Sequence, residues 1–583
     1  MIAVTWRPQL AGIPAVAAYK GVATRMSDLE VQYRPASSPD LPVANARGFA
    51  PGTTVLPQGS VHSPGGLPLP CDIVFDRDVA VAMRDGTTIY VDVFRPVGEQ
   101  TVPAIVPWSP YGKQGGFWTL DIFPGRAGVA ADSLSGLQKW EAPDPAYWCA
   151  RGYAIVNPDP RGVFNSAGDI QMFSPQEARD GYDLIEWIAN QPWSSGKVGM
   201  AGNSWLAVSQ WMIAAEQPPH LAAIAPWEGF NDFYRDMIAP GGIPTFGFSE
   251  NIIVNNFGRN RTEDLVATFK AQPLMNELWE RRHTDTSGIT IPAYVAASYT
   301  NLLHTRGTFN GWRALPERNR WLRIHNSLEW PDFYEYQDDL HRFFDWALKG
   351  QENGWQDTPR VRMAVLDPGH DDEIEVAEDA FPPTRAVATA FHLDAATESV
   401  VGTAPEREAC LSYDAKTGSA VFIGDFGDLV LAGPMKLRLW VEAQGHDEMD
   451  LFVGVSKQSA DGVQLTPDWF PGVPSPGARG QQRVSHRALD ADHSTDLIPF
   501  QKHDKVEPLS AGEIVSVDIE IWPMAMRWHA GEKLRIEISG HDLQVPIPGV
   551  LPERSADNEG RHVIHTGGRY GSYLVAPVVG ESK

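Results

Sequence analysis

The stretch VGMAGNSWLAVSQW, Val198 to Trp211, decides the fold. An apolar run reaches Gly202, then Ser204, and the chain turns at once into residues with helical character. A serine there is either a helix N-cap or a nucleophile held out by a tight strand-to-helix turn. Such a turn needs small neighbours. Gly202 supplies one two residues before the serine, but Leu206 stands two residues after it, so the strict G-x-S-x-G pattern is broken.

Outward from this turn, strands alternate with helices. DIVFDRDVAVAMRDGTTIYVDVFRP (72–96) reads as a hairpin about Arg84-Asp85-Gly86. VPAIVPWSPYG (102–112) is a short apolar strand. SPQEARDGYDLIEWIANQPW (174–193) carries helical spacing behind the Ser174 cap. LAAIAPWEG (221–229), ITIPAYVAASY (289–299) and RWLRIHN (320–326) read as further strands. LLHTRGTFNGWRAL (302–315) and YQDDLHRFFDWALKG (336–350) read as helices. This alternation predicts an α/β class with a largely parallel sheet covered on both faces. The expected organisation is an N-terminal extension (1–70), a first core part (71–230), an inserted helical cap (231–288), a second core part (289–360) and a C-terminal all-β sandwich of jelly-roll type (361–583).

The 583 residues carry a net charge of -25, with 43% hydrophobic and 21% charged residues. That suits a folded protein of several domains and argues against a nucleic-acid partner. Three cysteines, Cys71, Cys149 and Cys410, form neither a disulfide framework nor a zinc spacing, so a reducing, cytoplasmic location is expected. The N-terminus is not a convincing signal peptide, and no apolar run approaches the ~20 residues of a membrane span. No membrane partner, metal or organic cofactor is expected; the oligomeric state is open, a homo-oligomer included.

Several motifs stand in order: MRDG (83–86), VDVFRP (91–96), PYGK (110–113), DPRGVFNSAGD (159–169) and GNSW (202–205). Near the end follow GPMKLRLWVEA (433–443), GEKLRIEISGHD (531–542) and RHVIHTGG (561–568). This order resembles the CocE/NonD hydrolase family from about residue 75 onward. The resemblance implies an α/β-hydrolase core, a helical cap, a C-terminal jelly roll and a serine hydrolase mechanism. It makes Ser204 the nucleophile. It makes the Tyr111 hydroxyl an oxyanion donor beside the backbone N–H of Trp205. The base is expected after the last core strand, at His325, ahead of His304 and His341.

The acid departs from the family. No carboxylate occurs between Ile289 and Leu315, and Thr300 or Asn301 occupies the expected place. Glu228, closing the preceding strand, is placed slightly ahead of Asn301, with Asp332 or Glu329 as further candidates. A plain alternative for Glu228 is a salt bridge to Arg235. Trp108, Phe117, Trp118, Trp227 and Phe230 suggest an apolar or aromatic substrate group. The expected substrate is a small ester or amide. Cap acids Glu250, Glu263 and Asp264 keep dipeptidyl-peptidase or amino-acid ester hydrolysis open. A carbohydrate-binding, weakly catalytic protein is the alternative of another class.

Overall fold

In a computed structural model of the chain, residues 30–546 and 556–580 are described; the part of the N-terminal extension at 1–29 lies outside them. Eleven strands form the main sheet: β1 (Gly52–Leu56), β2 (Ile73–Ala82), β3 (Thr88–Pro96), β4 (Val102–Val106), β5 (Ala154–Asp159), β6 (Ser194–Asn203), β7 (Leu221–Trp227), β8 (Ala293–Ser298), β9 (Arg320–His325), β10 (Val361–Val365) and β11 (Glu373–Glu378). Their spatial order is β11-β10-β9-β8-β7-β6-β4-β5-β3-β2-β1. From β5 through β4 to β10 all neighbours are parallel, while β1, β2, β3 and β11 join antiparallel. The chain order reverses direction between β4 and β6, and in such sheets the crevice beyond the strands' C-terminal ends is where ligands sit.

The parallel strands are near-continuous apolar runs because helices cover both their faces. β4, β5 and β8 are buried at every residue. The helix Pro175–Ala189 starts as its sequence demands, with the Ser174 hydroxyl accepting from Glu177 N at 3.2 Å. The helix Trp205–Ala215 is buried at ten successive positions, Trp205 to Ala214, and so runs through the interior rather than along the surface. The helix Gln337–Lys349 ends on Gly350 in a left-handed conformation (φ 68°).

Two segments differ from the sequence reading. The chain before residue 70 adds β1 to the edge of the main sheet and pairs Tyr33–Pro35 with Arg261–Glu263. VRMAVLD, read as the first sandwich strand, instead contributes β10 to the main sheet, parallel to β9. Val361 and Met363 to Val365 are buried, and the strand follows a covering helix, which is the setting of a parallel crossover.

Between β7 and β8 the insertion carries a π-helical turn at Phe233–Ile238 and helices at Phe246–Val254, Leu265–Ala271 and Glu277–Glu280. Beyond β11 the chain forms a β-rich domain of twelve strands in one hydrogen-bonded network. At its centre, Leu429–Gln444 pairs antiparallel with Val515–Trp528. The two domains are stitched by backbone hydrogen bonds, from Leu366 N to Ala525 O (3.0 Å) and from Arg527 N to Leu366 O (3.0 Å).

Candidate active site

β6 ends at Asn203 and the next helix starts at Trp205, leaving one residue for the turn. Ser204 takes it with φ 59° and ψ -122°, a backbone conformation that L-residues avoid. It makes no side-chain cap. Gly202 (φ 131°) is obligatory here: a Cβ would come within 2.5 Å of the Leu206 side chain and 2.8 Å of Glu141 O. Leu206 is thus tolerated because it folds back over Gly202. Two more non-glycine residues of the site have positive φ, Glu228 (55°) and Glu141 (62°). Strain of this kind persists only where the surroundings impose it, and it concentrates at functional sites. The surroundings here are specific. Ser204 N donates to Glu228 O at 2.8 Å, Glu228 N to Ala296 O at 2.8 Å, and Asn203 N to Glu141 O at 3.3 Å.

Tyr111 is buried, and its hydroxyl neighbours Ser204 as a hydrogen-bonding group. Burial, with the Glu141 carboxyl beside it, pushes the phenol well above its ordinary range, so it stays a donor. Trp205 N–H lies in the first turn of its helix, where backbone donors have no intrahelical partner. The Trp205 indole is fixed by Glu177 Oε1 at 2.9 Å, which also receives Trp108 Nε1 at 3.0 Å. Burial raises Glu177 to about 7 despite these donors.

A cavity of about 430 Å³ opens above Ser204. Core residues Tyr111, Trp140, Glu141, Thr300, His304 and Glu329 line it. Phe248 and Ile252 come from the insertion, and Trp469, Phe470 and Val473 come from the C-terminal domain. Of the aromatic residues expected around the substrate, only Trp118 lines it. Trp108 and Trp227 are fully buried, with indoles bonded to Glu177 and to Tyr294 O (3.1 Å). Phe230 packs on Phe173, and Phe117 packs edge-on to Trp118 beside the Phe164–Phe257 cluster. Sequence proximity to a strand end does not say which way a side chain points. Trp140, Trp330 and Trp469 were not singled out because their segments show no periodicity.

The expected histidine pairs with the favoured acid, Glu228, and makes no hydrogen bond to Ser204 among the described residues. His325 is the last residue of β9 rather than a residue of the following loop, so it shares Arg323's face of the strand and points into a buried charge cluster. Its Nε2 is 2.7 Å from Glu228 Oε1 and 3.6 Å from Asp332 Oδ2. Its Nδ1 is 3.4 Å from Ser327 Oγ. Among the described residues neither ring nitrogen bonds Ser204. Burial would lower the His325 pKa, but Asp332 and Glu228 outweigh it and raise it.

Of the acid candidates, Glu228 meets His325, while Arg235 bonds Asp232 instead (2.7 Å). Asn301 does not approach His325. It caps the next helix, accepting from Leu303 N (3.0 Å) and His304 N (3.2 Å), and donates to Glu329 Oε2 at 3.2 Å. Asp332 is bound by the Arg323 guanidinium. His341 bonds Asp345 far along its helix, at 3.1 Å. His304 is buried in the cavity wall with its Nε2 3.9 Å from Glu329 Oε2, and burial holds its pKa down to about 3, so the ring is neutral. The cap acids divide. Glu250 is exposed, Asp264 caps the helix Leu265–Ala271, and Glu263 is buried against Arg282 at 2.7 Å.

Metal-like spacing occurs elsewhere. Asp367, His370, His529 and Glu532 bring ligand atoms within 4.8 Å of one another at the junction with the C-terminal domain. Lys457 bonds both carboxylates there, so an ammonium already supplies the countercharge.

Comparison with known proteins places this geometry in context. Residues 85–254 match the X-Pro dipeptidyl-peptidase (S15 family) domain, and residues 426–575 match the X-Pro dipeptidyl-peptidase C-terminal non-catalytic domain. A Mycobacterium bovis chain, provisionally named a serine esterase, is 33% identical over 81% of this chain and 91% of its own length. Cocaine esterase of a Rhodococcus species is 36% identical over 28% of this chain and a quarter of that enzyme. The crystal structure of a CocE/NonD family hydrolase from Staphylococcus aureus superposes with a TM-score of 0.85 at 33% identity, covering 93% of this chain and all of that one. No helix among the described residues is long and apolar enough to cross a membrane.

Proposed function

This chain belongs to the CocE/NonD family of hydrolases, and on that premise we propose that it is a serine esterase acting through an acyl-enzyme on Ser204. The observation that carries the reading is the strained Ser204 turn at the floor of an aromatic-walled cavity, with a protonated phenol beside the hydroxyl. In this reading Ser204 Oγ attacks the carbonyl carbon. Tyr111 Oη–H and Trp205 N–H receive the oxyanion. The alcohol leaves, and water releases the acid. Trp118, Trp140 and Trp469 favour an aromatic or branched apolar group on the substrate. The C-terminal domain, read as a jelly roll, supplies one wall of the pocket rather than a separate binding site.

In this reading His325, paired with Glu228, is the base: it takes the Ser204 proton as the hydroxyl attacks and returns it to the leaving alcohol once substrate draws the groups together. It holds Glu228, whose carbonyl holds the Ser204 N–H.

A panel of p-nitrophenyl esters and X-Pro p-nitroanilides, with fluorophosphonate labelling, tests the proposal. Ester turnover and labelling that both vanish in Ser204→Ala support it. Turnover confined to the anilides assigns the peptidase reading. A folded wild-type protein that neither labels nor turns over any substrate refutes serine catalysis.

A further inference from the structure

We infer that His304 and Glu329 form a hydroxyl-binding corner of the substrate cavity, so that the preferred ester carries a neutral hydroxyl on its apolar or aromatic part. The inference rests on the serine-esterase reading and names a substrate class for the same site.

The corner is built by a loop that has no acid to present. Glu228, just after β7, meets His325 at 2.7 Å and accepts from the Ser298 hydroxyl at 3.0 Å. The loop after β8 carries no carboxylate, and Ser298, Thr300, Asn301, Leu303 and His304 line the cavity instead. Much of the remaining wall is aromatic, from Trp118, Phe123, Trp140 and Trp330. In a cavity of that kind a few placed polar groups set the orientation of the ligand.

His304 is held firmly, yet its ring binds nothing. Its backbone N donates to Asn301 Oδ1 at 3.2 Å, and its carbonyl accepts from Thr308 N at 2.9 Å. The ring lies nearly parallel to Phe230, at 20° with centroids 6.2 Å apart. The residue is buried, and Nδ1 has no hydrogen-bond partner. Nε2 lies 3.9 Å from Glu329 Oε2, beyond hydrogen-bond reach. A neutral imidazole carries one donor and one acceptor, and burying both unpaired is costly unless a ligand takes one. Burial does keep this ring neutral.

Glu329 supplies the facing group. Its Oε2 accepts from Asn301 Nδ2 at 3.2 Å, which fixes the carboxyl at the cavity wall. Burial, and then the Glu141 charge, raises its pKa well above the ordinary range, so this group is neutral as well. Two atoms 3.9 Å apart leave room for one oxygen between them. A hydroxyl about 2.8 Å from each accepts from His304 Nε2–H and donates to Glu329 Oε2. A hydroxyl does both through a single atom. A carboxylate has no proton to donate, and an ammonium has no lone pair to accept with and meets no ionised partner in the corner. The tautomer required carries its proton on Nε2, so that only the Nδ1 lone pair stays unfilled.

Matched esters test this on the full chain: p-nitrophenyl 4-phenylbutanoate with its ring 3-hydroxy, 4-hydroxy and 4-aminomethyl derivatives, and the acetates of the matching 3-phenylpropanols for the alcohol side. On one side a hydroxy ester should exceed its parent in kcat/KM by about 10–100-fold, carried by KM. His304→Phe, which keeps a ring on Phe230, and Glu329→Leu should each bring that ratio to within about twofold of one. Glu329→Gln, which keeps a carbonyl oxygen, should retain most of it. Circular dichroism and urea midpoints check that the variants fold. Binding of the uncleaved esters to Ser204→Ala, read by quenching of the cavity tryptophans, gives the same comparison without turnover. Hydroxylated and parent esters bound and cleaved within about twofold of each other would overturn the inference and leave the esterase reading standing. A ratio that moves in neither His304→Phe nor Glu329→Leu would do the same. Preference for the aminomethyl esters would replace the hydroxyl corner with a cation site. A hydroxyl preference kept in binding, with no ester turned over by wild type, would support the corner and remove the esterase reading alone.

Discussion

Two buried charge clusters lie side by side at the C-terminal end of the sheet, built in opposite ways. Around His325, every charge has its complement: Arg323 grips Asp332 through two nitrogens, and Asp332 and Glu228 flank the imidazole. Burial there is overcome by pairing, so Asp332 is lowered and Arg323 raised well above its ordinary value. Around Ser204, burial wins. Glu141 and Glu329 are raised, and the hydroxyl of Tyr111 is kept protonated. The first cluster is paired charge against charge and faces the interior; the second is held by neutral donors and faces a cavity. Fully paired charges specify a structure, whereas unpaired, pKa-shifted groups beside a cavity are poised for proton transfer.

The contrast breaks most sharply at the nucleophile. Ser204→Ala should cost about 10⁴-fold or more in ester turnover with no loss of stability, read by kcat and by urea unfolding. In the paired cluster the effect should be the reverse. Arg323→Met strands a buried Asp332 carboxylate and should destabilise by about 3–5 kcal/mol, seen as a lower urea midpoint, while the folded fraction stays active. Tyr111→Phe removes an oxyanion donor and should lower kcat about 10²–10³-fold with little change in KM. A stability test sharpens the comparison further. The folded Glu141 pKa lies above its unfolded value, so its contribution is complete below about pH 4.3 and is lost as pH rises through about 8. Glu141→Gln should therefore gain on wild type in unfolding midpoint between pH 5 and pH 8. The smallest effect belongs to the domain contact. Trp469→Ala should raise KM for aromatic esters roughly tenfold and leave acetate esters nearly unchanged.

Much of this was readable in the chain. The strand-turn-helix at Ser204 follows from an apolar run, a glycine and an apolar helix, because one residue cannot turn a strand into a helix without positive φ. The hairpin about Gly86 and the Ser174 cap are local and were equally legible. The missing acid after β8 was also legible, as an absence. The pocket walls were not, since Trp108 and Trp227 sit on strand ends whose side chains enter the helix layers, while Trp469 arrives from more than 250 residues away. The surroundings of His325 were hidden for a related reason: periodicity located the strand but not the residue at which it ends, and that decides whether the side chain rides on the loop or stays in the sheet.

The sequence by itself determined the α/β class, the nucleophile turn and the departure from the family's acid, because each rests on local spacing or on the order of segments along the chain. Only the tertiary structure decided which carboxyls surround the serine. Glu141 belongs to a segment without periodicity, 63 residues before Ser204, and nothing local marks it. It joins the site only when the fold lays its strained backbone over Gly202, and burial and proximity across the fold are properties that spacing does not encode.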